Sequence, residues 1–202
     1  MSNIAIYSLK GGCSKTTCSV ILWELLEERT GKKWGIVSND LYPKYNQFYG
    51  IPKDQYMMIP PEETEIPYIS HNIIYDLQGG IDKRIVDLLK KVDLIIIPTI
   101  FDYAFIQSQL ETLNEVKEFN ENILLLLSKT NKGDFENQMK TYKELGIKYP
   151  VLELKQSKII SNLSNNDSQR LKVQLKNPNK YTKVLVEQLK ELEDFVMSKM
   201  KG

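Results

Sequence analysis

A chain of 202 residues with 42% apolar and 26% charged residues has the composition of an ordinary globular protein and the length for one α/β core. No apolar run approaches the roughly 20 residues that span a bilayer. Two cysteines five positions apart are too few and too close for a disulfide framework, and the N-terminus lacks the basic and apolar regions of a secretory signal, so residence in the cytoplasm is expected. The net charge of +1 hides an asymmetry: residues 148 to 183 carry eight basic side chains against two acidic ones.

In chain order, the apolar run Ile4-Ala5-Ile6-Tyr7 reads as a strand, Leu9-Lys10-Gly11-Gly12-Cys13-Ser14-Lys15-Thr16-Thr17 as a glycine-containing turn, and Lys15 to Arg29 as a helix stopped by Gly31. Strand, turn and helix in that order aim a row of backbone N–H groups and a helix N-terminus at one spot, which suits a phosphate. Lys15 then reaches the β- and γ-phosphates of a nucleotide, and the Thr16 hydroxyl holds Mg²⁺. The generic pattern G-x-x-x-x-G-K-[ST] is not met, because Leu9 and Ser14 stand where its glycines belong. A side chain at position 14 crowds the phosphate and resists positive φ, which weakens nucleotide affinity or turnover.

A second strand, Trp34 to Val37, ends in Ser38-Asn39-Asp40-Leu41-Tyr42-Pro43. Asp40 is the candidate for orienting an attacking water or helping to place Mg²⁺; the alternative is an Asx turn before Pro43. Residues 42 to 70, rich in proline and tyrosine with little periodicity, read as an irregular connection holding one short helix or strand. Asn72 to Tyr75 then delivers Asp76, followed by Leu77-Gln78-Gly79-Gly80. A strand ending in aspartate suits the Mg²⁺ shell, and a glycine, Gly79 or Gly80, can offer an N–H to the γ-phosphate. His71, the one histidine, reads as a surface side chain.

Helical and strand patterns alternate from there. Asp82 to Val92 is helical, Asp93 to Thr99 is a β-branched run of the kind buried on both faces of a parallel sheet, Phe101 to Phe119 is a helix, and Asn122 to Ser128 another buried strand. Phe135 to Leu145 and Tyr149 to Leu154 add a helix and a last strand. An Asn/Ser-rich turn, Ser161 to Ser168, and a basic segment lead to a helix from Tyr181 to Met200. Its apolar stripe, Leu185, Leu189, Leu192 and Val196, opposes a charge-balanced face, which favours packing on the sheet over binding anionic lipid. The alternation predicts right-handed βαβ units and an α/β fold: one mostly parallel twisted sheet with helices on both faces, in a single domain over residues 1 to 202. Ligands of such sheets bind beyond the carboxyl ends of the strands.

Lys10-Gly11-Gly12-x-x-Lys15-Thr16-Thr17 resembles the deviant Walker A box, K-G-G-x-G-K-[ST], of the ParA/MinD family of dimeric P-loop ATPases, and departs from it at Ser14. The family usually has D-x-D-P-Q after its second strand; here Ser38 replaces the first acid and Asp40 matches the second. Pro98-Thr99 and Lys129-Thr130-Asn131 resemble family segments that border the nucleotide base. The resemblance implies that ATP and Mg²⁺ are bound by residues 10 to 17, Gly80 and Asn131, with Thr16, Asp40 and Asp76 at the metal and Lys10, Lys15 and Asp40 acting in catalysis. It further implies a nucleotide-sandwich homodimer in which Lys10 reaches the twin subunit's nucleotide, and non-specific DNA binding, for which Lys155, Lys158, Arg170 and Lys172 are the candidates. A ParB-like partner that stimulates slow hydrolysis, nucleoid association and a role in plasmid or chromosome segregation follow, with no stable membrane association. The alternatives are a MinD-like membrane-cycling ATPase and a nucleotide-binding scaffold with impaired hydrolysis, which Ser14 and Ser38 favour.

Overall fold

Seven strands form a single sheet in the order β3-β2-β4-β1-β5-β6-β7, and every pairing is parallel. The strands are β1 Asn3–Tyr7, β2 Gly35–Ser38, β3 Tyr56–Met58, β4 Ile73–Leu77, β5 Leu94–Ile100, β6 Ile123–Thr130 and β7 Val151–Lys155. The computed structural model describes residues 2–40, 44–69, 72–165, 171, 175–180 and 182–200. His71, Tyr42 and Pro43 of the sequence reading lie outside these residues, as do Arg170 and Lys172.

Successive side chains of a strand point to opposite faces, and the apolar runs use that alternation to build two cores. Ile4 and Ile6 of β1, Leu94 and Ile96 of β5, and Leu124 and Leu126 of β6 join the core beneath α1 (Lys15–Thr30) and α7 (Lys183–Lys199). Ala5 and Tyr7, Ile95 and Ile97, and Ile123 and Leu125 face the other way, toward α3 (Lys83–Leu89), α4 (Tyr103–Val116) and α5 (Asp134–Glu144). Both faces of these strands are therefore covered, which accounts for their near-continuous apolar sequence. The stripe on α7 is buried through Leu185, Leu189, Leu192 and Val196, and the helix packs on α1 and β7.

Buried almost all round from Cys18 to Leu26, α1 ends at Gly31, whose φ of 63° lets its N–H return to the Glu27 carbonyl oxygen at 3.0 Å. Glu27 then accepts from the Trp34 N–H at 3.2 Å and from the Gln55 side chain, so the end of α1 sets the start of β2.

Residues 44 to 69 carry more order than the one short helix or strand expected there. The helix α2 (Tyr45–Tyr49), a 3₁₀ turn (Lys53–Gln55) and the edge strand β3 fill most of the first half. β3 is three residues long and takes its register from β2, through Ile36 opposite Tyr56 and Ser38 opposite Met58. Periodicity cannot reveal so short a strand.

Candidate nucleotide-binding site

Three loops meet beyond the carboxyl ends of the central strands. β1 lies between β4 and β5, with Ile6 opposite Asp76, and β2 flanks β4 with Ser38 opposite Asp76. The turn after β1, the end of β2 and the end of β4 thus share one edge, the place where ligands of open parallel sheets bind.

The turn after β1 is folded on itself. Gly12 has φ 80° and Ser14 φ 68°, both left-handed, so the chain turns where the box would place glycine even though serine occupies the position. A Cβ built on Gly11 would meet nothing within 4 Å, so its face of the turn is open. Cys13 points inward instead, its thiol donating to the Lys10 carbonyl oxygen at 3.0 Å and accepting from the Ser8 hydroxyl at 3.3 Å. Lys15 is only 8% exposed and its ammonium donates to the Lys10 carbonyl oxygen at 2.9 Å. The Lys10 ammonium sits over the Phe105 ring, 3.9 Å from its centroid. Since α1 begins at Lys15, the N–H groups of its first turn have no partner within the helix. A cluster of donors with two lysines beside it is chemically fitted to a polyphosphate.

Asp76 lies under this turn, 2% exposed. Burial pushes its carboxyl above the ordinary carboxylate range; hydrogen bonds from the Tyr45 and Thr16 hydroxyls and the charge of Lys15 oppose that, while Asp40 adds to it. A buried carboxylate beside the Thr16 hydroxyl is the donor set for a hard divalent cation. Among the described residues no three His, Cys, Asp or Glu side chains gather into a cage, so a cation there would take its remaining ligands from phosphate and water, as Mg²⁺ commonly does.

Ser38 and Asp40, the two positions compared with the family's acids, do different things. Ser38 is fully buried; its hydroxyl donates to the Asp76 carbonyl oxygen at 2.8 Å and accepts from the Asp40 N–H at 3.1 Å. Asp40 is half-buried at the same edge. With its amide nitrogen turned toward Asp40, Gln78 donates to both carboxylate oxygens, at 2.7 and 2.9 Å. Asn39 joins the two loops in both directions, its amide donating to the Gln78 carbonyl oxygen at 2.9 Å and accepting from the Gln78 N–H at 2.7 Å. The positive φ in the glycine pair belongs to Gly79, at 94°, while Gly80 is exposed beside it.

To the other side of the turn, a small hollow is lined by residues that include Ser14, Thr17, Cys18, Pro98, Lys129 and Lys155. The Ser14 hydroxyl is buried there without a hydrogen-bond partner. Pro98 lies past the stretch of β5 that pairs with β1, where it interrupts no ladder on that side. Asn131 stands at the same edge but outside the hollow, its N–H and side chain turned to Asp134 at 2.7 and 3.4 Å. Of the basic candidates, Lys155 closes β7 and lines the hollow, and Lys158 opens the short helix α6 (Lys158–Ser161).

No protein-family model and no curated protein sequence matches the chain. Solved structures do. The MinD cell division protein of Aquifex aeolicus superposes with a TM-score of 0.67 at 14% identity, covering 100% of this chain and 99% of that one. It has the fold of MinD. An ATP complex of a McdA variant from Cyanothece shares that fold with a TM-score of 0.64 at 14% identity, over 100% of this chain and 98% of McdA. So does a protein of Borrelia burgdorferi described as a putative plasmid partition protein and bound to AMPPNP, with a TM-score of 0.59 at 16% identity over 98% and 97% of the two chains. The α/β fold expected from the strand alternation, one sheet of parallel strands with helices on both faces, is the one observed, and MinD shares it.

Four residues that contact the candidate site are not marked by any motif. Tyr45 donates to Asp76 Oδ2 at 2.5 Å from a helix inside the stretch read as irregular. Asn39 and Gln78 flank named positions, and only the pairing of β2 with β4 brings them together. Phe105 opens into view only with α4 in place.

Proposed function

We propose that this chain is an ATPase of the ParA/MinD type. It binds ATP with Mg²⁺, closes as a nucleotide-sandwich homodimer, holds DNA without sequence preference, and hydrolyses ATP slowly until a ParB-like partner accelerates it. The cycle serves segregation of a plasmid or chromosome. The observation that carries the reading is the convergence of Lys15, Thr16 and Asp76 beneath a left-handed turn that opens a helix. The MinD-like fold and the ATP and AMPPNP complexes among its neighbours support nucleotide binding.

In this reading the turn's N–H groups and Lys15 hold the β- and γ-phosphates, with Lys15 exchanging the Lys10 carbonyl oxygen for phosphate oxygens. Thr16 and Asp76 would hold Mg²⁺, which would supply charge neutralisation at the phosphates. Asp40, steadied by Gln78, orients the attacking water, and Lys10 leaves Phe105 to reach the twin subunit's nucleotide. Lys155, Lys158, Arg170 and Lys172 supply the basic surface for DNA. The apolar stripe of α7 is already covered by α1 and β7, which supports a cycle on DNA over one on lipid.

A second reading, a nucleotide-binding scaffold with impaired turnover, draws on Ser38, whose hydroxyl is consumed by the Asp76 and Asp40 backbones. Light scattering with AMPPNP and Mg²⁺ tests the first: a dimer for the wild type and a monomer for Lys10→Ala are expected, and a nucleotide-loaded monomer for both contradicts it. Phosphate release with DNA and partner present separates the two, since sustained turnover rules out the scaffold.

A further inference from the structure

Tyr45 is fully buried, with 0% of its surface exposed, yet carries a phenol. A buried hydroxyl needs a partner, and this one donates to Asp76 Oδ2 at 2.5 Å, with the Ser38 hydroxyl also within hydrogen-bonding reach. The ring is wedged between Tyr56 and Tyr49, at centroid distances of 5.6 and 6.3 Å. Its helix is anchored at the far end, where Gly50 takes φ 66° and the Ile51 N–H returns to the Tyr45 carbonyl oxygen at 3.2 Å. Asp76 and Ser38 thus meet the phenol oxygen while the neighbouring rings hold the phenol in place, and Asp76 Oδ2 with it.

We infer that Tyr45 is a positioning residue for the metal-binding carboxylate: from α2, its hydroxyl fixes the rotation of Asp76 and so sets the affinity of the site for a divalent cation. The inference rests on the ATP–Mg²⁺ reading and extends it to a helix outside the phosphate turn. Carboxylates that ligate metals depend on such second hydrogen bonds, and removing one costs about 10–100-fold in metal affinity. A phenol with two rotatable bonds, packed between rings in a dry setting, gives a hydrogen bond that a solvated side chain would not.

Mn²⁺ uptake in the presence of saturating ADP, followed by electron paramagnetic resonance, tests this on wild type, Tyr45→Phe and Tyr49→Phe. Tyr45→Phe is expected to raise the Mn²⁺ half-saturation concentration about tenfold or more and to leave metal-free ADP binding unchanged, while Tyr49→Phe matches the wild type on both counts. A Tyr45→Phe curve that overlays the wild type overturns the inference. So does an equal shift in both variants, which marks a packing effect, and so does loss of metal-free ADP binding in Tyr45→Phe, which makes the phenol a support of the fold. A wild type that binds ADP but takes up no Mn²⁺ overturns the ATP–Mg²⁺ reading along with it.

Discussion

Ser14 holds a left-handed backbone at φ 68° with its hydroxyl buried and unpartnered. For a residue with a Cβ that conformation costs roughly 1–2 kcal/mol. Glycine would relieve it while returning about 0.4–1 kcal/mol of freedom to the unfolded chain. Ser14→Gly is therefore expected to stabilise the ligand-free protein by about 1 kcal/mol, a rise of about 2–4 °C in thermal midpoint at this size, and to bind ATP more tightly. A calorimetric scan and an ATP titration check both. Asp82 shows the opposite economy of placement, capping α3 through the Ile85 N–H at 3.0 Å while binding Arg84 at 2.7 Å. Burial raises its carboxyl pKa, but Arg84 and the Ile85 and Arg84 N–H groups outweigh that, and the net shift is below the ordinary 3.8. A folded-state pKa below the unfolded one adds stability above the unfolded value, and that stability fades as pH falls through the folded one. Asp82→Ala should thus lose about 1 kcal/mol near neutrality, with the difference from wild type shrinking below pH 3.8 in urea melts.

Among the elements, α7 carries the sharpest energetic expectation. Leu189 is completely buried against the α1 side of the sheet, so Leu189→Ala should cost about 2–5 kcal/mol, read as a lower urea midpoint with an unchanged slope. A helix reserved for lipid would tolerate that change. The same scale shows what the sequence could reveal. Strands β5 and β6 were legible because burial on both faces demands an unbroken β-branched or leucine run, and Gly31 marked the end of α1 by its left-handed cap. α2 and β3 were not, since five and three residues are too few for a period to emerge and the contacts that place them, to Asp76 and to β2, are distant in sequence. At the candidate site, Lys15, Thr16 and Asp76 were named from spacing along the chain. The contacts of Tyr45, Asn39 and Gln78 could not be, because they arise from the docking of α2 and the pairing of β2 with β4, which sequence order does not disclose.

For the molecule as a whole, the excess of basic residues between 148 and 183 supports a salt-dependent grip on DNA, with Arg170 and Lys172 named from sequence alone. ATP-dependent retention on DNA should weaken steeply as salt rises, and Arg170→Ala with Lys172→Ala should lower retention and reduce the log–log salt slope by about two per subunit. Retention unchanged in the double variant would remove these two residues from the interface. In the proposed cycle, dimerisation, DNA binding and turnover all presuppose a loaded phosphate turn. Titration calorimetry of ATP with Mg²⁺ into wild type and Lys15→Ala reads that loading directly. Saturable uptake of one ATP per chain, abolished in Lys15→Ala, is the predicted result; no heat from the wild type, or equal uptake by both, would contradict the account.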